Sequence, residues 1–189
     1  MTQPTDPPPL IPKLPSLARM PVLVTGGTGT IGSQVILELL QSQVPARVLT
    51  RPPRPDGLGE QAKVEGDLVV RVGLTEAVDG VQAVIHCASN PLHGQKIDID
   101  GTRRLCDALA AHNPDAHLVH VSVVGCWDNP LPYYRVKSEA ETVVTTSRRP
   151  HTIARATQVH ELVQKLVGSQ RAGIGVGMRG LRFASCDSR

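Results

Sequence analysis

The chain has 189 residues, of which 40% are apolar, 20% are charged and only 2% are aromatic, and its formal net charge is +3. This composition is globular and excludes wholesale disorder, while the length suits one domain or one domain with part of a second. No apolar run reaches the roughly 18 residues of a membrane helix, and the first residues lack the apolar core of a secretory signal. We therefore expect a cytoplasmic protein without a membrane partner.

A proline-rich leader precedes the folded pattern. Residues 1–19 contain six prolines, which remove backbone donors and prevent a regular helix. We expect this leader to be disordered and to contribute nothing to folding or ligand binding, with Met20 as the natural start. Recognition of the leader by a proline-binding partner is the alternative.

Short apolar runs and helical stripes alternate from Met20 onward. The pattern predicts strands over residues 22–25, 47–50, 63–65, 81–87, 118–124 and 151–155. It predicts helices over residues 31–41, 75–78, 102–111, 134–146 and 159–167. Strict alternation implies right-handed crossovers, so the predicted fold class is α/β with a doubly wound parallel sheet, in one domain over residues 20–167.

The tail, residues 168–189, is rich in glycine and arginine and has little periodicity. A basic segment of this kind attracts nucleic acid by charge, but neither a recognition helix nor interleaved aromatic residues accompany it. The pattern favours a loosely packed tail over a nucleic-acid partner.

The strongest motif is the glycine-rich segment TGGTGTIG, which lies between the first strand and the first helix. Gly26 permits a tight turn, Gly29 lets the backbone approach a pyrophosphate, and Gly32 lets the helix pack closely on the strand. The first helical residues, Thr30 and Ile31, offer free N–H groups and the positive end of the helix dipole to phosphate. The motif predicts a dinucleotide site, and a glycine-rich turn without a ligand is the alternative.

Residues at the ends of the second and third strands bear on which dinucleotide is bound. NAD-binding proteins usually place an acid roughly 20 residues beyond the glycines, whereas this chain has Arg51 and Arg54 there and no acid before Asp56. A guanidinium can hold a 2′-phosphate with two hydrogen bonds, so we expect NADP to be preferred over NAD; an ordinary surface arginine is the alternative. Asp67 and Leu68 are predicted to meet the adenine, unless Asp67 only caps the following segment.

Tyr133 and Lys137 lie one helical turn apart in the sequence YYRVK, so their side chains share a helix face. A phenol titrates near pH 10, and a neighbouring ammonium would lower its pKa and suit it to proton exchange. Ser122, near the end of the fifth strand, is the candidate hydroxyl that completes the site. We predict that Tyr133, Lys137 and Ser122 form a catalytic group.

Four motifs occur in the order found in one enzyme family: the glycine-rich segment, VIHCAS, DIDGT and YYRVK. Through them the chain resembles the extended or atypical branch of the short-chain dehydrogenase/reductase superfamily, among NmrA-like and epimerase/dehydratase-like NAD(P)-binding proteins. The resemblance implies a Rossmann-like fold, a nicotinamide cofactor and a small carbonyl or alcohol substrate. It also implies that Tyr133 is the acid/base, that Lys137 holds the nicotinamide ribose, and that Ala88 and Ser89 flank the cofactor.

The chain departs from that family in three places. Ser122 is followed by Val123, where the family has a second hydroxyl residue, and Asp98 stands where many members carry an asparagine. Extended members also continue into a region that covers the substrate, so residues 168–189 are interpreted as the remnant of a largely missing C-terminal substrate region. We therefore expect cofactor binding with little or no turnover, and self-association through an exposed sheet edge.

The seven histidines show no metal-ligand spacing, so no metal site is predicted. The sequence favours an oxidoreductase or epimerase-like protein that binds NADP(H) and transfers hydride with the help of Tyr133 and Lys137. A non-catalytic, NADP-sensing regulator and an inactive fragment are the alternatives.

Overall fold

The predicted strands assemble into a parallel sheet in the structure, a computed structural model that describes residues 20–52, 62–159 and 185–186. The proline-rich leader, Arg54, Asp56 and most of the tail lie outside the described residues. The strands of the sheet are β1 (Val22–Thr25), β2 (Ala46–Thr50), β3 (Ala62–Glu65), β4 (Ala83–His86), β5 (His117–Val123) and β6 (His151–Ala156). The helices that cover it are α1 (Thr30–Gln41), α2 (Leu74–Val78), α3 (Asp100–His112) and α4 (Pro132–Thr146).

The sheet has the strand order β3-β2-β1-β4-β5-β6, and every neighbouring pair is parallel. The chain moves outward from β1 to β3 and then returns past β1 to β4, so the winding direction changes between β1 and β4. In open sheets of this kind, ligands bind beyond the carboxyl ends of the strands at such a switch point. The predicted α/β, doubly wound, Rossmann-like fold is confirmed.

Each face of the sheet is buried by different helices because side chains alternate along a strand. Leu23 of β1 belongs to a core that includes side chains of α2, α3 and α4. The next residue, Val24, packs on the other face with Ile36 of α1 and Val48 of β2. Leu23, Val24 and Val48 are all fully buried, which explains why the central strands read as continuous apolar runs.

Besides shifts of one or two residues at the ends of other elements, the structure differs from the predicted elements at two points. A π-helical turn over Gln95–Ile99 leads directly into α3, which begins at Asp100, before the predicted residue 102. Gln158–Val159 forms a short strand, β7, that pairs in parallel with β8 (Ser185–Cys186). The predicted helix is therefore wrong at residue 159, because a short apolar run does not distinguish strand from helix; its remainder lies outside the described residues.

No helix in the described ranges is both long and apolar enough to cross a membrane. The longest of them, α4, has 15 residues and carries several charged side chains.

Candidate functional site

A cleft of about 500 Å³ opens at the carboxyl ends of β1, β2, β3 and β4, where the winding direction changes. The predicted cofactor residues that line it are Gly26, Gly29, Arg51, Asp67, Leu68, Ala88 and Ser89. Sequence reasoning missed other lining residues at or just beyond the strand ends, among them Thr25, Thr50, Gly66, Cys87 and Asn90. Their position at the ends of predicted strands could have identified them, because the carboxyl ends of adjacent parallel strands meet at the same edge of a sheet.

The glycine-rich segment is packed so tightly that two of its positions have no room for a side chain. Gly26 has a φ of +70°, in the left-handed region that favours glycine, and a Cβ there would lie 2.6 Å from the backbone nitrogen of Ala88. A Cβ on Gly32 would collide with the carbonyl oxygen of Gly26. The turn after β1 therefore lies directly against the loop after β4, which forms one wall of the cleft.

Helix α1 begins with backbone donors that the helix itself does not use. Gly29 is its N-cap, and the described residues supply no side-chain cap at this end. The N–H of Ser33 donates to the carbonyl of Gly29 at 3.0 Å, which leaves the N–H groups of Thr30, Ile31 and Gly32 in the unpaired first turn. These donors and the positive end of the helix dipole fit the pyrophosphate of a dinucleotide.

Two of the lining residues are those predicted to bear on cofactor selectivity and adenine recognition. Arg51 directly follows β2 and is exposed at the cleft. Asp67 accepts a hydrogen bond from the N–H of Val69 at 2.5 Å, and its own N–H donates to the carbonyl of Val72 at 3.0 Å. Asp67 therefore caps the turn that follows it, and its contact with adenine stays a prediction.

Tyr133 and Lys137 lie near the start of α4, which opens with Pro132, a residue suited to the first turn of a helix. The Lys137 ammonium is 6.0 Å from the centre of the Tyr133 ring. It lies 2.8 Å from Oδ1 of Asp98, with only 5% of the lysine side chain and 1% of the aspartate side chain exposed. The structure thus brings the predicted pair together and adds a buried carboxylate whose contact with Lys137 sequence reasoning missed.

The buried setting changes the expected ionisation of Tyr133. Burial, followed by the charge of Asp98 and the proximity of Tyr134 and Cys126, raises the pKa of Tyr133 to about 12. In the protein alone this pKa is therefore not lowered, and its expected lowering by Lys137 together with the positive charge of a nicotinamide stays a prediction. The main physical reason for the raised pKa is that burial disfavours the charged phenolate, and the Asp98 carboxylate adds to this effect.

Ser122 is buried on β5, with its hydroxyl turned toward α4. Its Oγ lies 3.9 Å from Sγ of Cys126 and also interacts with the carboxylate of Glu141. The next residue, Val123, packs with Cys126 and Tyr134. The structure places Ser122 in this buried cluster, and its catalytic role stays a prediction.

Glu141 of α4 is fully buried and binds donors from two other parts of the chain. Its oxygens accept from Nε and Nη2 of Arg155 at 2.9 and 2.7 Å, from Nε1 of Trp127 at 2.6 Å and from Sγ of Cys126 at 3.2 Å. Burial raises the pKa of Glu141, but hydrogen bonds from Arg155, Ser122, Trp127 and Cys126 outweigh it and lower the pKa to about 2. Glu141 therefore joins the loop after β5 and strand β6 to α4.

Two neighbouring buried histidines, whose rings are tilted by 36°, lie beneath the site. Nδ1 of His86 is 2.6 Å from Oγ1 of Thr25, and its Nε2 is 2.8 Å from Oγ1 of Thr102, which in turn donates to the carbonyl of Asp98. The ring of His120 lies 5.3 Å from that of His86, and neither of its nitrogens has a hydrogen-bond partner among the described residues. Burial lowers the pKa of both imidazoles, and that of His120 falls to about 4.

Acid is expected to destabilise the fold through His120. Its ordinary pKa is 6.5 and its folded pKa is about 4, so below pH 6.5 the unfolded chain binds more protons than the folded one. The free energy of unfolding should therefore fall by about 2 kcal/mol between pH 6.5 and about pH 5 from this group alone. Urea unfolding at a series of pH values measures the slope.

The matched variant for this measurement is His120→Leu, which removes the titrating ring and leaves no partner unpaired, so the fold should tolerate it. The slope below pH 6.5 should become shallower in this variant. An unchanged slope would show that other groups cause the acid sensitivity.

Comparison with known proteins agrees with the geometry of the cleft. A family profile described as NAD(P)H-binding matches residues 26–168. Tetraketide alpha-pyrone reductase 2 of Arabidopsis thaliana is 37% identical over 91 residues, which are 42% of this chain and 28% of that protein. Photosystem II assembly factor Ycf39 of Cyanophora paradoxa is 26% identical over 141 residues, 71% of this chain and 44% of that protein. The matched region thus spans less than half the length of each of these relatives.

Among solved structures, a short-chain dehydrogenase/reductase superfamily protein from Agrobacterium tumefaciens with bound NAD is similar in fold. It is 26% identical, with a TM-score of 0.62, and the match covers 73% of this chain and 49% of that one. The family profile extends over most of the chain, and the free amides of α1 fit a dinucleotide phosphate. The chain therefore belongs to the NAD(P)H-binding family, with the Rossmann-like fold of short-chain dehydrogenases/reductases and epimerase-like proteins.

Proposed function

We propose that the chain is an NADP(H)-dependent oxidoreductase that interconverts a carbonyl and an alcohol. The observation that carries this proposal is the placement of Tyr133 and Lys137 on one face of α4, joined through Asp98 to the loop that borders the cleft. A phosphate-binding helix start and a proton donor with a neighbouring cation are what such a reaction requires of the protein.

In the proposed reaction, different residues of the chain bind the cofactor, transfer the proton and stabilise the phenolate. A bound nicotinamide dinucleotide would supply or accept the hydride at the substrate carbon. The N–H groups of Thr30, Ile31 and Gly32 bind its pyrophosphate. The Tyr133 hydroxyl donates a proton to the carbonyl oxygen in reduction and accepts it back from the alcohol in oxidation. The Lys137 ammonium stabilises the phenolate while it exists and offers N–H donors to the ribose hydroxyls.

The test is loss of NADPH absorbance with a panel of aldehydes and ketones at saturating cofactor. Turnover that requires Tyr133 supports the proposal. Tight binding of NADPH without turnover of any member of the panel contradicts it and favours the second candidate below.

Preference for NADP over NAD is expected to depend on Arg51, which is exposed at the cleft. A guanidinium that holds the 2′-phosphate with two charge-assisted hydrogen bonds should tighten NADPH binding roughly tenfold to a hundredfold over NADH. Arg51→Ala should remove most of this difference and leave the affinity for NADH nearly unchanged. Fluorescence titration with both dinucleotides measures the two Kd values.

A surface arginine that is not among the residues lining the cleft provides the control for that titration. Arg71, which is exposed and pairs with Asp107 at 3.1 Å, should be replaceable by alanine with no change in either Kd. Equal affinity of the unsubstituted chain for NADPH and NADH would refute the assignment to Arg51.

The second candidate is a non-catalytic protein whose dinucleotide occupancy alters contacts with a partner. Two observations favour it: the raised pKa of Tyr133 and the orientation of Ser122 toward Cys126 and Glu141. The similarity to a protein described as an assembly factor is in line with it. NADPH binding without NADPH consumption, together with a partner whose affinity depends on NADPH, would establish this candidate.

A further inference from the structure

Three large apolar side chains are exposed in the loops that follow β4 and β5. Leu92 lies in the loop after β4, and Val124 and Trp127 lie in the loop after β5; all three are more than half exposed. Because β4 and β5 are parallel neighbours, both loops lie at the carboxyl edge of the sheet, where the cofactor cleft opens. Apolar surface in water at this edge marks a place that a ligand covers.

The backbone of the loop after β5 fixes which of its side chains are exposed. Gly125 has a φ of +78°, in the left-handed region that favours glycine. The next residue, Cys126, is buried, whereas Val124 and Trp127 on either side of these two residues are exposed. The N–H of Asp128 donates to the carbonyl of Gly125 at 3.3 Å, which closes the turn.

The indole of Trp127 is held by one edge. Its Nε1 donates to Oε2 of Glu141 at 2.6 Å, and Arg155 binds the same carboxylate. This hydrogen bond satisfies the polar atom of the side chain, so the part that meets water is the apolar ring. An indole that is oriented before a ligand arrives offers a flat face for stacking at little cost in conformational entropy.

The exposed indole adjoins the cluster that supports the proposed proton donor. Tyr133 packs against a cluster that contains Cys126, and Trp127 directly follows Cys126. Glu141, which holds the indole, comes about two turns after Tyr133 on α4, or about 12 Å along the helix axis. Its side chain leans back toward the start of the helix, which shortens that separation. A substrate whose carbonyl meets Tyr133 therefore reaches the indole with a group a few bonds away.

The charges around this surface favour a neutral ligand. The Lys137 ammonium pairs with Asp98 at 2.8 Å. The Arg155 guanidinium pairs with Glu141 at 2.7 Å. Neither cation is therefore left without a counter-charge for a phosphate or carboxylate of the substrate. Asp128, which is exposed on the loop after β5, would repel such an anion.

We infer that Trp127 is a specificity-determining residue and that the substrate of the proposed reaction is an uncharged ketone or aldehyde with an aromatic ring a few bonds from its carbonyl, which stacks on the indole. The inference rests on the proposed function for the reaction itself. In that reaction Tyr133 gives its proton to the carbonyl oxygen, the carbonyl carbon takes hydride from bound NADPH, and the products are the alcohol and NADP⁺. The stacking is testable without turnover.

The first arm of the experiment compares benzylacetone with its cyclohexyl analogue. The two compounds share the same methyl ketone and differ in whether the ring is flat. A surface that is merely apolar gains as much from the cyclohexyl ring, whereas an indole face favours the phenyl ring. The kcat/KM of the unsubstituted chain should be about threefold to tenfold higher for benzylacetone, through a lower KM.

Two variants separate the flat ring from the hydrogen bond to Glu141. Trp127→Phe and Trp127→Leu both lose the indole N–H, and only the first keeps an aromatic face. The preference for benzylacetone should largely survive in Trp127→Phe and disappear in Trp127→Leu. Leu40→Ala is the control, because Leu40 is exposed at the end of α1 remote from the glycine-rich segment. It should leave the preference unchanged, and circular dichroism confirms that each variant is folded.

The second arm requires no turnover. The product alcohols of the two ketones do not react with NADPH, so calorimetric titration into the NADPH-loaded chain gives their Kd values. The aromatic alcohol should bind about threefold to tenfold more tightly than its cyclohexyl analogue. Trp127→Leu should remove this difference, and Trp127→Phe should keep most of it.

Three results would overturn the inference: equal Kd values for the two alcohols, no binding of either, or the same preference in Trp127→Phe and Trp127→Leu. If Trp127→Leu fails to fold, the titration of the two alcohols into the unsubstituted chain and into Trp127→Phe decides. A failure of the proposed function looks different, because the chain would then bind the aromatic alcohol selectively and consume no NADPH with benzylacetone.

Discussion

Replacement of Tyr133 by phenylalanine is expected to reduce carbonyl turnover by about a hundredfold to ten-thousandfold, the range in which a positioned general acid contributes to a reaction. The affinity for NADPH should stay nearly unchanged, because only the hydroxyl is removed and the ring still packs against Tyr134. Steady-state consumption of NADPH, with a separate binding titration, measures the two quantities independently.

Tyr134→Phe is the matched control, since it removes the adjacent hydroxyl from a residue that belongs to the core beneath α4. Turnover should largely survive this change. Equal loss of activity in the two variants would mean that the tyrosines support the start of α4 and that neither donates the proton.

Arg155→Ala is expected to destabilise the fold by more than the loss of a surface ion pair does, because it leaves the fully buried Glu141 carboxylate without its cation. Trp127 and Cys126 still donate to that carboxylate, and the Arg155 side chain is itself 47% exposed, so the loss should be smaller than for an ion pair with both partners buried. Urea unfolding at neutral pH measures the change in the free energy of unfolding.

The double variant Arg155→Ala with Glu141→Gln removes the orphaned charge and should recover part of the loss. Arg103→Ala breaks an exposed pair with Asp100 and should cost no more than about 0.5 kcal/mol. A small effect of Arg155→Ala, equal to that of Arg103→Ala, would show that water reaches Glu141 and solvates it.

The same ion pair predicts a second loss of stability at acid pH. The cause differs from that for His120: burial disfavours the charged imidazole, whereas hydrogen bonds from Arg155 and other donors favour the charged carboxylate of Glu141. The Glu141 pKa is about 2 in the folded chain against an ordinary 4.5, so its stabilisation is fully present above pH 4.5 and is lost as the pH falls toward 2. Arg155→Ala should reduce this component, whereas it should leave the slope from His120 between pH 6.5 and 4 in place.

The parts of the site that could be predicted from the sequence are those fixed by local spacing. Gly26 and Gly32 are both required by the short segment that joins β1 to α1. Tyr133 and Lys137 share a helix face because they are one helical turn apart. The strand alternation likewise predicts the sheet, since each crossover is local in sequence.

The remaining features depend on contacts between distant parts of the chain. The pairing of Asp98 with Lys137 requires the π-helical turn to face α4, and neither a π-helical turn nor its orientation has a sequence signature. The raised pKa of Tyr133 in the protein alone follows from burial and from that carboxylate, neither of which the motif shows. The hydrogen bonds from Arg155 to Glu141 join β6 to α4, and the sequence does not predict them either, because they depend on how β6 and α4 pack.

The bond between Trp127 and Glu141 has a spectroscopic consequence. Trp127 is the sole tryptophan of the chain, and its indole N–H donates to the carboxylate that also binds Arg155. When tryptophan is excited selectively, the fluorescence of the chain therefore comes from a single residue, on the loop between β5 and α4. The wavelength and intensity of that emission report directly whether this loop is attached to α4, so a single optical signal follows the element that supports Tyr133 during unfolding, acidification or ligand binding.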